Sequence, residues 1–189
     1  MDSILIIDGE NFKKKIESVF REANQKKPFW YEYDFQGLLT KVLQGLKIDY
    51  RVFYFARIKE HKETKDKSKV LIEEQRLLKT HLEKQGFEVI MAGRVSGQKE
   101  DGILIFKEKG VDVRIAVDMV SWSCDKKVKT IILGSSDSDL QPAIKEVRRR
   151  GTECIYLGFE SGPNKGMTYT TNKTILIRGS EVLEFDGSQ

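Results

Sequence analysis

The stretch SILIIDGENF (residues 3–12) decides the fold. Ile4, Leu5, Ile6 and Ile7 form an unbroken apolar run between Asp2 and the pair Asp8-Gly9. The polar alternation of a half-exposed strand is missing. A short, branched, continuous run of this kind reads as a strand buried on both faces. The run is too short for the core of a signal peptide and has no basic lead-in. Strands of this type belong to parallel sheets covered by helices, and the rest of the chain supplies those helices.

Outward from it, apolar positions recur at helical spacing over residues 13–22, 35–46, 70–84, 111–123 and 140–149. Short strands are expected at 50–55, 87–92, 130–133 and 154–157, with edge strands at 175–177 and 182–185. Residues 26–33 are aromatic and irregular around Pro28, and 94–109 are ambiguous, with a short strand expected at 102–106. Strands alternating with helices predict an α/β three-layer sandwich. Its mainly parallel sheet should have five or six strands, with the first one central.

Composition narrows the function. The chain has 189 residues, one domain's worth, and no internal repeat. Its two cysteines, Cys124 and Cys154, make neither a disulfide framework nor a zinc site, and point to a reducing, cytoplasmic setting. No apolar stretch nears the length of a membrane span. Lys and Arg number 33 against 29 acids, a net +4 that is compatible with a polyanionic partner.

Ligands of open α/β sheets sit outside the carboxyl ends of the strands. There the first strand runs into Asp8-Gly9-Glu10-Asn11. The strand at 130–133 runs into Gly134-Ser135-Ser136-Asp137-Ser138-Asp139, and the helix near Val111 opens with Asp112. Each acid alone has a plain structural explanation as a turn or a helix cap. Three acidic groups expected at one edge favour a site. Clustered carboxylates repel one another, and a hard divalent cation, Mg²⁺ or Mn²⁺, relieves that cost. Asp118 lies six residues past Asp112, about 120° around the helix. It could join the metal set or pair with Arg114, and both readings stay open.

Three blocks together, ILIIDGENF (4–12), KGVDVRIAVDMV (109–120) and IILGSSDSDLQPAIKEVRRRG (131–151), resemble the NYN domain, LabA-like branch. That family falls within the PIN-like metal-dependent ribonucleases. The resemblance implies a nuclease domain over 1–160, with 161–189 as C-terminal strands or an extension packed on it. It implies Asp8, Asn11, Asp112, Asp137 and Asp139 as catalytic residues. The four Asp residues would be the metal ligands, with Asp118 a further candidate. Ser136 and Leu140 depart from the family's Ser-Gly-Asp-x-Asp-Phe pattern. The implied activity is hydrolysis of RNA, single-stranded by preference, by one or two divalent ions. The competing reading is a nucleic-acid or protein binding module on the same fold, slow in hydrolysis.

Other chemistries fit worse. His61 and His81, the only histidines, are 20 residues apart and read as surface residues rather than an acid/base pair. Cys154 sits in an apolar strand, and no phosphate-binding glycine loop is present. A polyanion beside carboxylates needs flanking cations. Lys13, Lys14 and Lys15 follow the first strand. Arg57, Lys59, Lys62, Lys65 and Lys67 follow the second, in a segment with a cationic excess. These are the residues expected to bind phosphates. Arg148, Arg149 and Arg150 lie at the far end of their helix and serve its dipole.

Overall fold

The first strand lies at the middle of its sheet, flanked by a parallel neighbour on each side. The computed structural model describes residues 2–59, 65–100 and 103–187. Strand β1 (Ser3–Asp8) leads directly into helix α1 (Gly9–Glu22), which starts four residues earlier than its apolar periodicity predicts. Asp8 explains the difference: it ends the strand and caps the helix at once, accepting the Asn11 amide hydrogen at 3.1 Å. Helix α2 (Phe35–Val42), strand β2 (Tyr50–Arg57), helix α3 (Lys65–Lys84) and strand β3 (Glu88–Glu100) follow. Then come β4 (Ile103–Lys109), α4 (Val111–Cys124), β5 (Thr130–Gly134) and a 3-10 turn (Ser138–Leu140). Helix α5 (Gln141–Arg149), β6 (Glu153–Phe159), α6 (Lys165–Thr170), β7 (Lys173–Ile177) and α7 (Gly179–Glu184) complete the order.

The sheet order is β4-β3-β2-β1-β5-β6-β7. Six strands run parallel, as expected, and β4 adds a seventh, antiparallel to β3. The ambiguous stretch 94–109 is therefore a hairpin. Beyond Arg94, β3 pairs with β4 alone, so the hairpin extends past the carboxyl edge of the parallel strands. The expected strand at 182–185 is instead the end of α7. Its first turn is fixed by the Arg178 amide hydrogen donated to Glu181 at 2.8 Å, and Val182 alone of that stretch is fully buried.

Period-two alternation along β1 divides the core into two layers. Leu5 and Ile7 face α1, α2, α3 and α7 through Phe12, Leu38, Leu82 and Val182. Ile4 and Ile6 face α4, α5 and α6 through Ile115, Ile144 and Met167. All four β1 residues have 0% exposure. Each such burial contributes about 1.5–3 kcal/mol.

The topology makes one crevice. The chain leaves β1 toward β2 and one face of the sheet, and leaves β5 toward β6 and the other face. Such a reversal between adjacent strands is where open α/β sheets bind ligands.

Close packing holds the β1–α1 junction, because the Phe55 ring lies directly against Gly9, where a Cβ would overlap it. Gly9→Ala should lower the urea midpoint, at a cost of about 1–3 kcal/mol for forced overpacking. A midpoint equal to that of the wild type would show that Phe55 yields freely.

Candidate active site

The reversal point carries the acids. Ile7 pairs with Gly134, so Asp8 and Ser135 emerge side by side from β1 and β5. The Ser135 hydroxyl donates to Asp8 Oδ2 at 3.3 Å. Asp112 arrives by a different route. The β3–β4 hairpin returns to the carboxyl edge, where Lys109 pairs with Arg94 and Arg94 with Arg57 at the end of β2. Gly110, at φ 94°, then turns the chain into α4 with Asp112 in its first turn. That left-handed backbone suits glycine and few other residues.

Asp8 is 5% exposed. Burial, chiefly, pushes its carboxyl up to about 6; the Asn11 amide opposes the shift, and the charges of Asp112 and Asp137 add to it. Asp112 is also raised, by burial first and then by Asp137 and Asp139. The four carboxylates thus share one field, and none has a Lys or Arg partner among the described residues. They do not close on one point, however. Among the described residues, no three acidic, His or Cys side chains stand ready as a ligand set. Asp8 and Asp137 each hold an oxygen on a backbone amide, that of Asn11 and that of Asp139 at 2.9 Å.

Asp118 stands apart. Arg114 Nε donates to both its oxygens, at 2.9 and 2.8 Å, and the Tyr54 hydroxyl donates to it at 2.8 Å. Of the two readings left open, the ion pair is the one the structure displays. Burial first, and then the Asp118 bond, push the Tyr54 phenol far up, so it stays a donor.

Asn11 holds the acidic loop. Its Oδ1 accepts the Ser136 amide hydrogen at 3.0 Å. Two residues that sequence reasoning missed complete the strap. Asn164 Nδ2 donates to the Ser136 carbonyl at 2.8 Å and the Ser138 hydroxyl at 3.1 Å. The hydroxyls of Tyr156 and Ser136 lie 2.9 Å apart. Asn164 carried one signal, as the residue after Gly162-Pro163 that caps α6. Tyr156, inside an apolar strand, carried none.

The expected cations divide sharply. Lys13 is tied to Glu10 at 2.9 Å and lies over the Trp30 and Phe55 rings. Lys15 donates to the Gly162 carbonyl at 3.0 Å. Lys14, Arg57 and Lys59 have no carboxylate partner among the described residues. Lys62 lies outside the described residues, as do the side chains of Lys65 and Lys67. Arg149 and Arg150 both pair with Glu146, which holds its carboxyl at about 2. His61 lies outside the described residues. His81, expected on the surface, is half-buried and bonds the Tyr33 carbonyl at 2.9 Å.

A family model described as NYN domain matches residues 3–176. A crystal structure of a protein of unknown function from Vibrio parahaemolyticus superposes with a TM-score of 0.60 at 19% identity, covering 93% of each chain. That likeness shows the fold alone. A phosphoglycerate kinase from Coxiella burnetii matches at TM-score 0.44 and 10% identity, over 98% of this chain and 50% of that one. No curated protein matches the chain.

These charges can be tested through stability. In the unfolded chain Asp8 titrates near 3.8, and in the folded chain at about 6. Between those values the folded state holds a proton that the unfolded state has lost, so stability falls as pH rises through the window. Asp8→Asn keeps a capping side chain. With chelator present it should exceed the wild type at neutral pH by about 1–3 kcal/mol, a margin that vanishes below about pH 4. Urea midpoints across pH read this out, and a margin independent of pH would refute it. Asp118→Asn should cost about 1–2 kcal/mol by weakening the Arg114 and Tyr54 bonds. It should also leave Mn²⁺-induced thermal stabilisation intact, and disappearance of that stabilisation would return Asp118 to the metal set.

Proposed function

The chain belongs to the NYN domain family, part of the PIN-like ribonuclease superfamily, and from that premise we propose that it hydrolyses RNA phosphodiester bonds as a divalent-metal-dependent ribonuclease. Within the family, its motif blocks favour the LabA-like branch. The observation that supports the activity is Asp8, a buried carboxylate in the field of two further acids with no Lys or Arg partner among the described residues. Such an arrangement costs stability and gains a purpose when a cation binds. The donors are hard carboxylate oxygens, which suit Mg²⁺ or Mn²⁺. Asp8, Asp112 and Asp137 would hold the ion, with Asp139 direct or through water. A bound divalent ion supplies a water of lowered pKa and offsets charge developing on the phosphate.

The chain's own residues do the rest. Asn11, Asn164 and Tyr156 fix the loop that presents Asp137 and Asp139. The Asn11 Nδ2 has no protein partner among the described residues and can donate to a substrate phosphate. Lys14, Arg57 and Lys59 offset the repulsion between the acids and a polyanion, with Lys62, Lys65 and Lys67 continuing that cationic stretch. Lys13 and Lys15 serve mainly inside the protein. Residues 161–189 extend the same unit, since β7 pairs with β6 and α7 packs on α1.

One observation favours a second reading. Because no three acidic side chains stand as a closed set among the described residues, a binding module slow in hydrolysis is the alternative.

Labelled RNA and DNA incubated with Mg²⁺, Mn²⁺ or chelator separates the two. Single-stranded RNA should be cut with Mn²⁺ and left intact with chelator, yielding 5′-phosphate ends. Asp8→Asn and Asp137→Asn should abolish the cut while remaining folded. If no substrate is cut with Mn²⁺, the binding-module reading prevails. Replacing Lys62, Lys65 and Lys67 with Ala should flatten the salt dependence of RNA binding, by about 0.7 in slope for each phosphate that is no longer neutralised. An unchanged slope would show that the segment is merely solvated.

A further inference from the structure

The aromatic run between α1 and α2 has no part in the carboxylate site. Phe29, Trp30 and Tyr31 wall one side of a groove of about 490 Å³, closed elsewhere by α1, the end of β2 and α3. Phe29 is 64% exposed and stacks on Tyr31 at 5.6 Å between ring centroids. With Trp30, Tyr31 and, across the groove, Leu71, which is 39% exposed, Phe29 makes a contiguous apolar lining open to water, and a patch of that kind marks a binding surface.

The charges around the rings indicate which partner. Inside the groove, Lys13 is neutralised by Glu10 and Lys27 by Glu17 at 3.2 Å, so the aromatic wall carries no net charge; Glu74, on the α3 side, is the lining acid with no ion-pair partner among the described residues. At the rim, Lys14 stays unpaired on α1, and Arg57 and Lys59 flank the groove residue Ile58. Flat ring faces beside unpaired cations suit a nucleobase joined to a phosphate backbone. Stacking on such faces tolerates any base, because every base has a π-face. Ile58, Leu71, Leu78 and Val95 give the opposite wall an aliphatic character, so an apolar peptide is the competing occupant; the aromatic wall and the cations Lys14, Arg57 and Lys59 beside it favour the nucleic acid.

The groove shares helix α1 and the end of β2 with the acidic edge, although none of the four acids lines it. Phe55 lines it and packs against Gly9, the residue next to Asp8. Glu10 and Lys13 lie on the same helix that Asp8 caps.

We propose that this groove binds an unpaired base of single-stranded nucleic acid by stacking against the Phe29–Tyr31 face, with its flanking phosphates on Lys14, Arg57 and Lys59. Base capture stands by itself. That the strand then continues to the carboxylates rests on the nuclease reading.

The protein has two tryptophans, and Trp122→Phe leaves Trp30 as the reporter. Titration in chelator with short oligouridylate, oligothymidylate or duplex RNA measures binding without cleavage. Both single strands should quench Trp30 and the duplex should not; quenching by only one of them identifies RNA or DNA as the source of the base. Phe29→Ala should weaken single-strand binding about tenfold, within the range for removal of one stacked base. Phe29→Leu, apolar but without a ring face, should weaken it as well. Both changes fall at an exposed position and leave the core intact. Full binding by Phe29→Leu would mean an apolar peptide contact and overturn the proposal. So would a wild-type dimer that Phe29→Ala dissociates with RNA affinity unchanged. Mn²⁺-dependent cleavage by Phe29→Ala with unaltered KM would remove the groove and keep the nuclease. Quenching without any wild-type cleavage would do the reverse.

Discussion

Everything at the reversal point depends on one uncomfortable placement: the Asp8 carboxylate at the end of a strand with no exposed apolar residue. A buried carboxylate ordinarily finds a cation or takes up a proton. Among the described residues Asp8 finds the Asn11 amide and the Ser135 hydroxyl, and its neighbours in charge are other acids. The cap on α1 gives it a local reason to be ionised, and burial gives it a reason not to be. That conflict holds its titration near the working range of a cell instead of far below it. The surrounding packing leaves little slack, since Phe55 lies hard against Gly9 and Gly134 sits close beside Ile7.

Asp112 and Asp118 show how completely surroundings decide the fate of one residue type. They occupy one helix, six positions apart. Asp118 turns into the core, where a guanidinium and a phenol saturate it. Asp112 points its charge at the crevice, where only acids answer it. One is therefore structural and the other available. The loop bearing Asp137 and Asp139 is held in the same spirit from three separate elements, through Asn11 on α1, Tyr156 on β6 and Asn164 before α6. Bonds from rigid elements limit how far that loop can drift, so Asp137 and Asp139 are held at the crevice from three sides.

The central strand, the parallel order and the acidic strand ends were legible because each is written locally: an unbroken apolar run, a change of period, an Asp after a strand. What was not legible depended on partners far away in sequence. The first turn of α1 reads as the acidic strand end Asp8-Gly9-Glu10-Asn11; Phe12 already keeps the helical spacing of Ile16 and Val19, and the Asp8 cap sets where the helix begins. The β3–β4 hairpin is rich in charged residues, and its strand character shows in the antiparallel pairing of its two strands. Val182 and Phe185 suggested a strand, whereas the Arg178–Glu181 bond sets a helix. Three consecutive lysines, Lys13, Lys14 and Lys15, look equivalent in the sequence. Helical geometry sends one to Glu10 and the rings, one to water and one to the Gly162 carbonyl.

That sorting bears on how a basic chain can hold an acidic site. Net charge predicts only a general tolerance for polyanions. The structure disposes many cations internally: Arg149 and Arg150 on Glu146, Arg114 on Asp118, Lys27 on Glu17. Paired charges of this kind cancel at a distance and steer nothing. The cations that stay unpaired at the carboxyl edge, Lys14, Arg57 and Lys59, therefore matter more than the total suggests. They stand on the same sheet edge as the acids and are the charges that act outward there. On the reading proposed above, a site that attracts both a dication and a polyanion needs its two signs of charge kept apart; Lys14 follows Asp8 across the turn from β1 into α1, whereas Arg57 and Lys59 come from the end of β2.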